Sequence, residues 1–240
     1  YYIDHMTALG YVKDVDWIEE LITVPTDEKT IQRWEKLSDF VLKRNNLHIV
    51  EPKNRLAYLP LLKPFFDLVN VAYAPLYGTV DLTEQQIRKY SAKFAPLINP
   101  NTTCFVMDKN DRMIAFGVGA PSLAGAMQKH RGRLFPTGWI DVLKAFRKND
   151  TVDLLLIAVH PDYQARGVNA IILSKTMKGC LKMGIKEAET GPMLELNEKV
   201  QSQWKDFQTE QHKRRRCFVK KLTPAAGEPE KADAPAGAAV

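Results

Sequence analysis

The sequence predicts an α/β domain with a mixed central sheet flanked by helices, and three observations predict it. The run Leu154-Leu-Leu-Ile-Ala-Val159 is apolar throughout, the mark of a central strand covered on both faces. Residues 102–118 hold two apolar segments joined at Asp108-Lys-Asn-Asp111, which reads as an antiparallel hairpin. Between Leu47 and Leu222, segments with one apolar helical face alternate with strand-like ones, as when helices pack on a sheet.

Each element has a local reason. Residues 1–9 have helical spacing and stop at Gly10; residues 11–24 read as extended and are closed by Pro25. Thr26 or Asp27 caps a helix over about 28–45, with Ile31, Trp34, Leu37, Phe40 and Val41 on one face. Residues 47–50 form a strand. An amphipathic helix over 61–73 follows, with Pro64 in its first turn. Residues 83–94 make another helix, with Glu84 and Gln86 in its first turn and Ile87, Tyr90 and Phe94 inward. After the hairpin come helices over 122–129 and 138–148, the strand over 151–159 and a long helix over 165–183. A strand over 185–190, a helix over 197–207 and a strand over 215–222 complete the order. Residues 223–240 hold nothing large to bury before the terminal Val and are expected to be disordered.

Composition narrows the class. The 240 residues are 45% hydrophobic, too apolar for a mostly disordered chain, and the length allows one large domain or two small ones. The most apolar stretch, 56–78, is cut by Pro60, Lys63, Pro64, Asp67 and Pro75, whereas a membrane span needs ~20 nearly uninterrupted apolar residues. Cys104, Cys180 and Cys217 are odd in number and widely spaced, which argues for a reducing, cytoplasmic compartment. They fall in apolar strand or helix patterns and read as core. There is no CxxC and no Cys/His cluster, so no metal is expected. The net charge of +6 suits an anionic small ligand or a nucleic acid and decides neither. The chain opens on Tyr1-Tyr2-Ile3-Asp4-His5 without a Met, which suggests a fragment or a processed start.

The chemistry is concentrated in residues 159–170, Val-His-Pro-Asp-Tyr-Gln-Ala-Arg-Gly-Val-Asn-Ala. Pro161 ends the buried strand and Gly167 opens the long helix. The backbone N–H groups of Arg166, Gly167, Val168, Asn169 and Ala170 have no partner in a first helical turn, so they form an anion site at the positive helix end. Arg166 adds a charge-assisted contact, and a pyrophosphate is the natural guest. A lone Gly167 would equally suit a turn that binds nothing; the full combination is much rarer.

His160-Pro-Asp-Tyr-Gln-Ala-Arg-Gly167 resembles the coenzyme A pyrophosphate loop of the GNAT acyltransferase superfamily, whose pattern is Gln/Arg-x-x-Gly-x-Gly/Ala. Gln164 and Gly167 match it, and the element order over 47–222 is similar to the GNAT fold. Gly132-Arg-Leu-Phe-Pro-Thr-Gly-Trp139, Leu154-Leu-Leu-Ile-Ala-Val-His-Pro161, Ala188-Glu189 and Leu194-Glu-Leu-Asn197 more closely resemble large bacterial proteins with two GNAT-like halves in tandem. The resemblance implies a GNAT-like domain over 47–222, a linker helix over 26–46 and a remnant of an upstream GNAT-like domain over 1–25. It implies transfer of an acetyl or longer acyl group from acyl-coenzyme A to a small-molecule or peptide amine. Ile157, Ala158 and Val159 would hold the pantetheine arm. Gln164, Ala165, Arg166, Gly167, Val168, Asn169 and Ala170 would hold the pyrophosphate, and Asn197 would also contact the cofactor.

Two positions depart from the family pattern. Asn169 stands where Gly or Ala lets the backbone approach phosphate. Trp204 stands where many members carry a Tyr as general acid, and indole cannot donate a proton at a useful pKa. Trp204 therefore reads as core or pocket wall. Together the departures motivate an alternative, a catalytically inactive binding or structural module. Glu189 and Glu195 are the candidate bases, provided that burial raises their pKa. The run His212-Lys-Arg-Arg-Arg216, with Lys220-Lys221, falls where the last strand begins and reads as a solvated strand face. Neither nucleic acid nor membrane is expected as a partner.

Overall fold

A computed structural model describes residues 1–52, 55–94 and 98–222. Its strands are β1 (Val12–Thr23), β2 (His48–Val50), β3 (Thr103–Met107), β4 (Met113–Pro121), β5 (Thr151–Val159), β6 (Glu187–Thr190), β7 (Met193–Leu194) and β8 (Thr209–Val219). Its α-helices are α1 (Tyr2–Ala8), α2 (Glu28–Asn45), α3 (Leu59–Tyr73), α4 (Glu84–Phe94), α5 (Ala124–Lys129), α6 (Gly138–Arg147), α7 (Val168–Met183) and α8 (Glu198–Ser202). Local capping sets several starts. Asp27 accepts from the Thr30 N–H to open α2, and Thr83 and Gln86 bond reciprocally to open α4. The Phe94 side chain and residues 223–240 lie outside the described residues.

All eight strands join one mixed sheet in the order β2–β3–β4–β5–β6–β1, with β7 and β8 also on β1. β2 to β5 are antiparallel, β5 and β6 are parallel, and β1 is antiparallel to β6, β7 and β8. α7 and α2 cover one face; α3 and α4 cover the other. Gly117 lets α7 settle on β4, because a Cβ there would lie 2.2 Å from Ile172 Cγ2. No helix among the described residues is long and apolar enough to cross a membrane.

β1 comes first in the chain yet lies inside the sheet. β6 and β7 hold one edge through Leu21↔Glu189 and Ile18↔Met193, and β8 holds the other from Val12↔Val219 to Ile22↔Thr209. Val15, Ile18 and Ile22 are buried there. α2 packs along α7, with Trp34 stacked on Phe207 and Glu35 paired to Lys178 at 3.0 Å.

Several expectations change in tertiary context. On α2 the buried stripe is Trp34, Ser38 and Val41, while Leu37 and Phe40 are exposed because α7 covers only one narrow side. α3 begins at Leu59, so Pro60 occupies its first turn and Pro64 lies inside the helix. α8 stops at Ser202 and β8 begins at Thr209, which places the basic run in mid-strand. That run is bound to acids of β1: Arg214 (2.7 Å) and Arg216 (2.8 Å) reach Asp16, and Arg215 (2.6 Å) and Lys213 (3.4 Å) reach Glu19. Asp16 is fully buried, so the run, which stays largely exposed as a solvated strand face, also forms a ladder of ion pairs with β1. Cys217 is exposed, because its side chain leaves the sheet on the uncovered side of β8; Cys104 and Cys180 are buried as expected. Burial pushes both buried thiols up to about 12. Leu155 and Leu156 of β5 are exposed, for the reason that creates the site below.

Candidate functional site

β6 is only four residues long, and its parallel pairing with β5 ends at Leu154↔Thr190. The Gly191 N–H, donating to Leu154 O at 3.0 Å, is the last bond of that seam. Beyond it residues 155–159 have no strand on that side among the described residues, and the two strands part into a notch. On the other side a bulge skips Leu155, since Val118 faces Leu156 and Gly119 faces Leu154. The His160 N–H donates to Ile114 O at 2.7 Å, so ladder alternation turns the backbone of Ile157 and Val159 toward the notch, while Ala158 faces β4. Two side chains confirm that direction. Tyr73 Oη, at the end of α3, donates to Ile157 O at 3.0 Å, and Gln164 Nε2 donates to Val159 O at 3.4 Å.

Just past the notch, Pro161–Tyr163 form one 3₁₀ turn, and Ala165 (φ 58°) and Gly167 (φ 79°) are both left-handed. They flank Arg166, so successive N–H groups curl into a concave cradle at the start of α7. Among the described residues the N–H groups of Arg166, Gly167, Val168 and Asn169 have no acceptor. Ala170 differs from the sequence expectation: its N–H bonds back to Gly167 O at 2.9 Å, leaving four donors where five were expected. Gly167 suits its left-handed φ, and a Cβ there would also sit 3.1 Å from Val41 Cγ2, a tight contact that Val41 would have to relieve. Val168 is buried and anchors the helix start; the Asn169 amide is half-buried with no partner among the described residues. The guanidinium of Arg166 lies 5.1 Å from the Tyr163 ring centroid; that of Arg112 lies 5.8 Å from it and is paired with Asp108 and Asp162.

The carboxylates are arranged differently from expectation. Glu189 pairs with Lys213 and lies 3.6 Å from His212 Nε2. Burial would raise its pKa, but Lys213 and His212 hold it below the usual value. Glu195 pairs with Lys13 and, at 3.1 Å, with Arg214, and the Lys13 hydrogen bond holds it low as well. Both are ion-pair partners of the β1–β8 seam, so burial does not raise either as a base requires. Asp153 on β5, in register with Glu189, is displaced the other way: burial pushes its carboxyl up, and nearby Glu189 adds to the shift.

Asn197 is engaged structurally, its Oδ1 accepting from the Val200 N–H at 3.2 Å to cap α8. Trp204 is buried in the core, Nε1 on Met193 Sδ at 3.4 Å, as its indole suggested. Tyr73 and Asp153 were missed by sequence reasoning. The one signal for Tyr73 was a hydroxyl ending an otherwise apolar helix. Away from the notch, a cavity of about 590 Å³ lies between α5–α6 and the sheet, lined by Lys129, Lys144, Lys148, Glu187, Glu189 and His212 among others. Glu19, Glu189 and His212 bring ligand atoms within 4.8 Å of one another at its wall, but the Lys213 ammonium is bound to both glutamates and competes with any cation for them.

No protein-family model matches the chain. It is 23% identical over 232 residues to Protein YghO of Escherichia coli (strain K12), a match covering 92% of this chain and 57% of that relative. Among solved structures, a GCN5-related N-acetyltransferase from Sphaerobacter thermophilus superposes with a TM-score of 0.56 at 9% identity, covering 90% of this chain and 55% of that one. A tandem GNAT protein from the clavulanic acid biosynthesis pathway superposes with a TM-score of 0.51 at 8% identity, covering 90% and 57%. A GCN5-related glucosamine N-acetyltransferase region of a fungal multi-domain protein gives a TM-score of 0.53 at 11% identity, covering 90% and 22%. The chain thus spans little more than half of the curated relative. These likenesses establish the fold, a mixed GNAT-type sheet flanked by helices.

Proposed function

We propose that the chain is an N-acyltransferase that moves an acetyl or longer acyl group from acyl-coenzyme A to a small-molecule or peptide amine. The observation that carries this reading is the open edge of β5 running directly into the cradle before α7: an edge for an amide-bearing arm beside a site for its pyrophosphate. The pantetheine amides would add to Ile157 and Val159 as an extra strand, and the cradle N–H groups with Arg166 would hold the phosphates. Backbone N–H near the bulge at Leu155 would polarise the thioester carbonyl.

In this scheme Asp153 accepts the proton of the attacking amine as nitrogen bonds to the carbonyl carbon. The C–S bond then breaks, and Tyr73 Oη donates the proton that converts the leaving thiolate to a thiol. The Tyr73 hydroxyl faces the same edge as the proposed thioester, which offsets the absence of a donor at Trp204. The burial of Trp204 favours a second reading, a module that binds acyl-coenzyme A without transfer.

Calorimetric titration with acetyl-coenzyme A tests the binding site. The unmutated chain is expected to bind, and Arg166→Glu, at an exposed position, is expected to weaken binding at least about tenfold. No binding by the unmutated chain at millimolar ligand would sink the proposal. Binding without thioester turnover over a panel of amines would select the second reading.

A further inference from the structure

α5 and α6 pack chiefly on each other, and their outward side is apolar where a surface helix is normally polar. Trp139, Ile140 and Leu143 share the exposed face of α6; the preceding loop adds Leu134 and Phe135, and α5 adds Met127. Phe135 is 80% exposed and Leu143 53%, so neither is core that happens to reach the surface. The rim is basic. Residues 124–148 carry six Lys or Arg against one Asp, and that Asp141 is already bound by Lys129, His130 and Lys144. Arg131, Arg133 and Arg147 are exposed, and among the described residues none has an acidic partner.

We infer that this face docks on the surface of a bilayer containing anionic lipid. An apolar centre with an indole at its edge fits the acyl–headgroup boundary, and the cation rim fits lipid phosphates. Charge decides against a second copy of the chain, because two-fold pairing of this patch would set its three unpaired cations against themselves. The foothold is peripheral, and so it is compatible with the lack of a membrane-spanning helix among the described residues; it departs from the sequence expectation of no membrane partner. Its inner side lines the cavity beneath α5–α6, through Asp141, Lys144, Ala145 and Lys148. The inference stands apart from the proposed acyl transfer.

The test is co-sedimentation of the full chain with phosphatidylcholine vesicles, with and without phosphatidylglycerol. Binding is expected only with phosphatidylglycerol and is expected to fall as salt rises. The double variant Phe135→Asp/Leu143→Asp, and separately Arg131→Glu/Arg133→Glu, should each lose at least about tenfold in partitioning. Val80→Asp, at an 82%-exposed position elsewhere, should bind as the unmutated chain does. Near-ultraviolet circular dichroism confirms that each variant is folded. Failure to bind the anionic vesicles, or equal binding by folded Phe135→Asp/Leu143→Asp, would overturn the inference. So would a dimer in solution that Phe135→Asp dissociates, since the patch would then be a protein interface.

Discussion

Burial displaces Tyr73 and Asp153 the same way, upward, which keeps the phenol protonated and makes the carboxylate a better proton acceptor. Burial pushes the Tyr73 phenol up to about 12, so it keeps its proton at any working pH. Tyr73→Phe is expected to lower kcat by about a hundredfold with the dissociation constant for acyl-coenzyme A unchanged, and the unmutated chain should show no alkaline fall in rate up to about pH 10. Asp153 is raised above the ordinary carboxylate value of about 3.9, so kcat/KM should fall as acid protonates it. Asp153→Asn should remove that acid limb together with most of the rate. Full turnover by Tyr73→Phe would return the donor role to solvent. Neither residue was legible in the sequence, because what distinguishes them is the company of Ile157 and Glu189, 84 and 36 positions away.

The β1–β8 seam shows how an element's meaning depends on its neighbour. Arg216 and Arg214 hold the buried Asp16 carboxyl well below its usual range. A depressed native pKa contributes stability that is complete above the unfolded value of about 3.9 and is lost as pH falls through the native value. Asp16→Asn should therefore lower the urea midpoint most at neutral pH, and the gap to the unmutated chain should close on acidification. A gap that stays constant with pH would show that Asp16 acts through packing alone. The same logic explains β5. Its apolar run correctly announces a central strand, yet the point where β6 stops, which opens the notch, is written in β6 and the Gly191 turn.

On the scale of the whole molecule, the sheet is closed by its first strand. Removing residues 1–25 takes the partner from β7 and β8 at once and leaves β6 with β5 alone. Burial of Val15, Ile18 and Ile22 alone is worth roughly 1.5–3 kcal/mol each, comparable with the ~5–15 kcal/mol net stability of a typical domain. A chain of residues 26–240 should lack a cooperative thermal transition and bind a hydrophobic dye, and a peptide of residues 1–25 added in trans should restore the transition. A cooperative melt of the truncated chain would show that the sheet does not need β1.

The local code was sufficient wherever neighbours along the chain decide the outcome. The caps at Asp27 and Thr83, the hairpin over 102–118, the strand–loop–helix around Gly167 and the core character of Trp204 all depend on residues a few positions apart or on side-chain chemistry. Together with the element order they carried the fold class. Tertiary structure alone placed β1 between β6 and β8, turned the basic run into partners for Asp16 and Glu19, and drew Glu189 and Glu195 into ion pairs. It alone brought Tyr73 to the open edge of β5. The physical reason is common to all four. Strand order and the end of a pairing are settled by competition among distant segments for the same edge, and no periodicity within one segment records which of them wins.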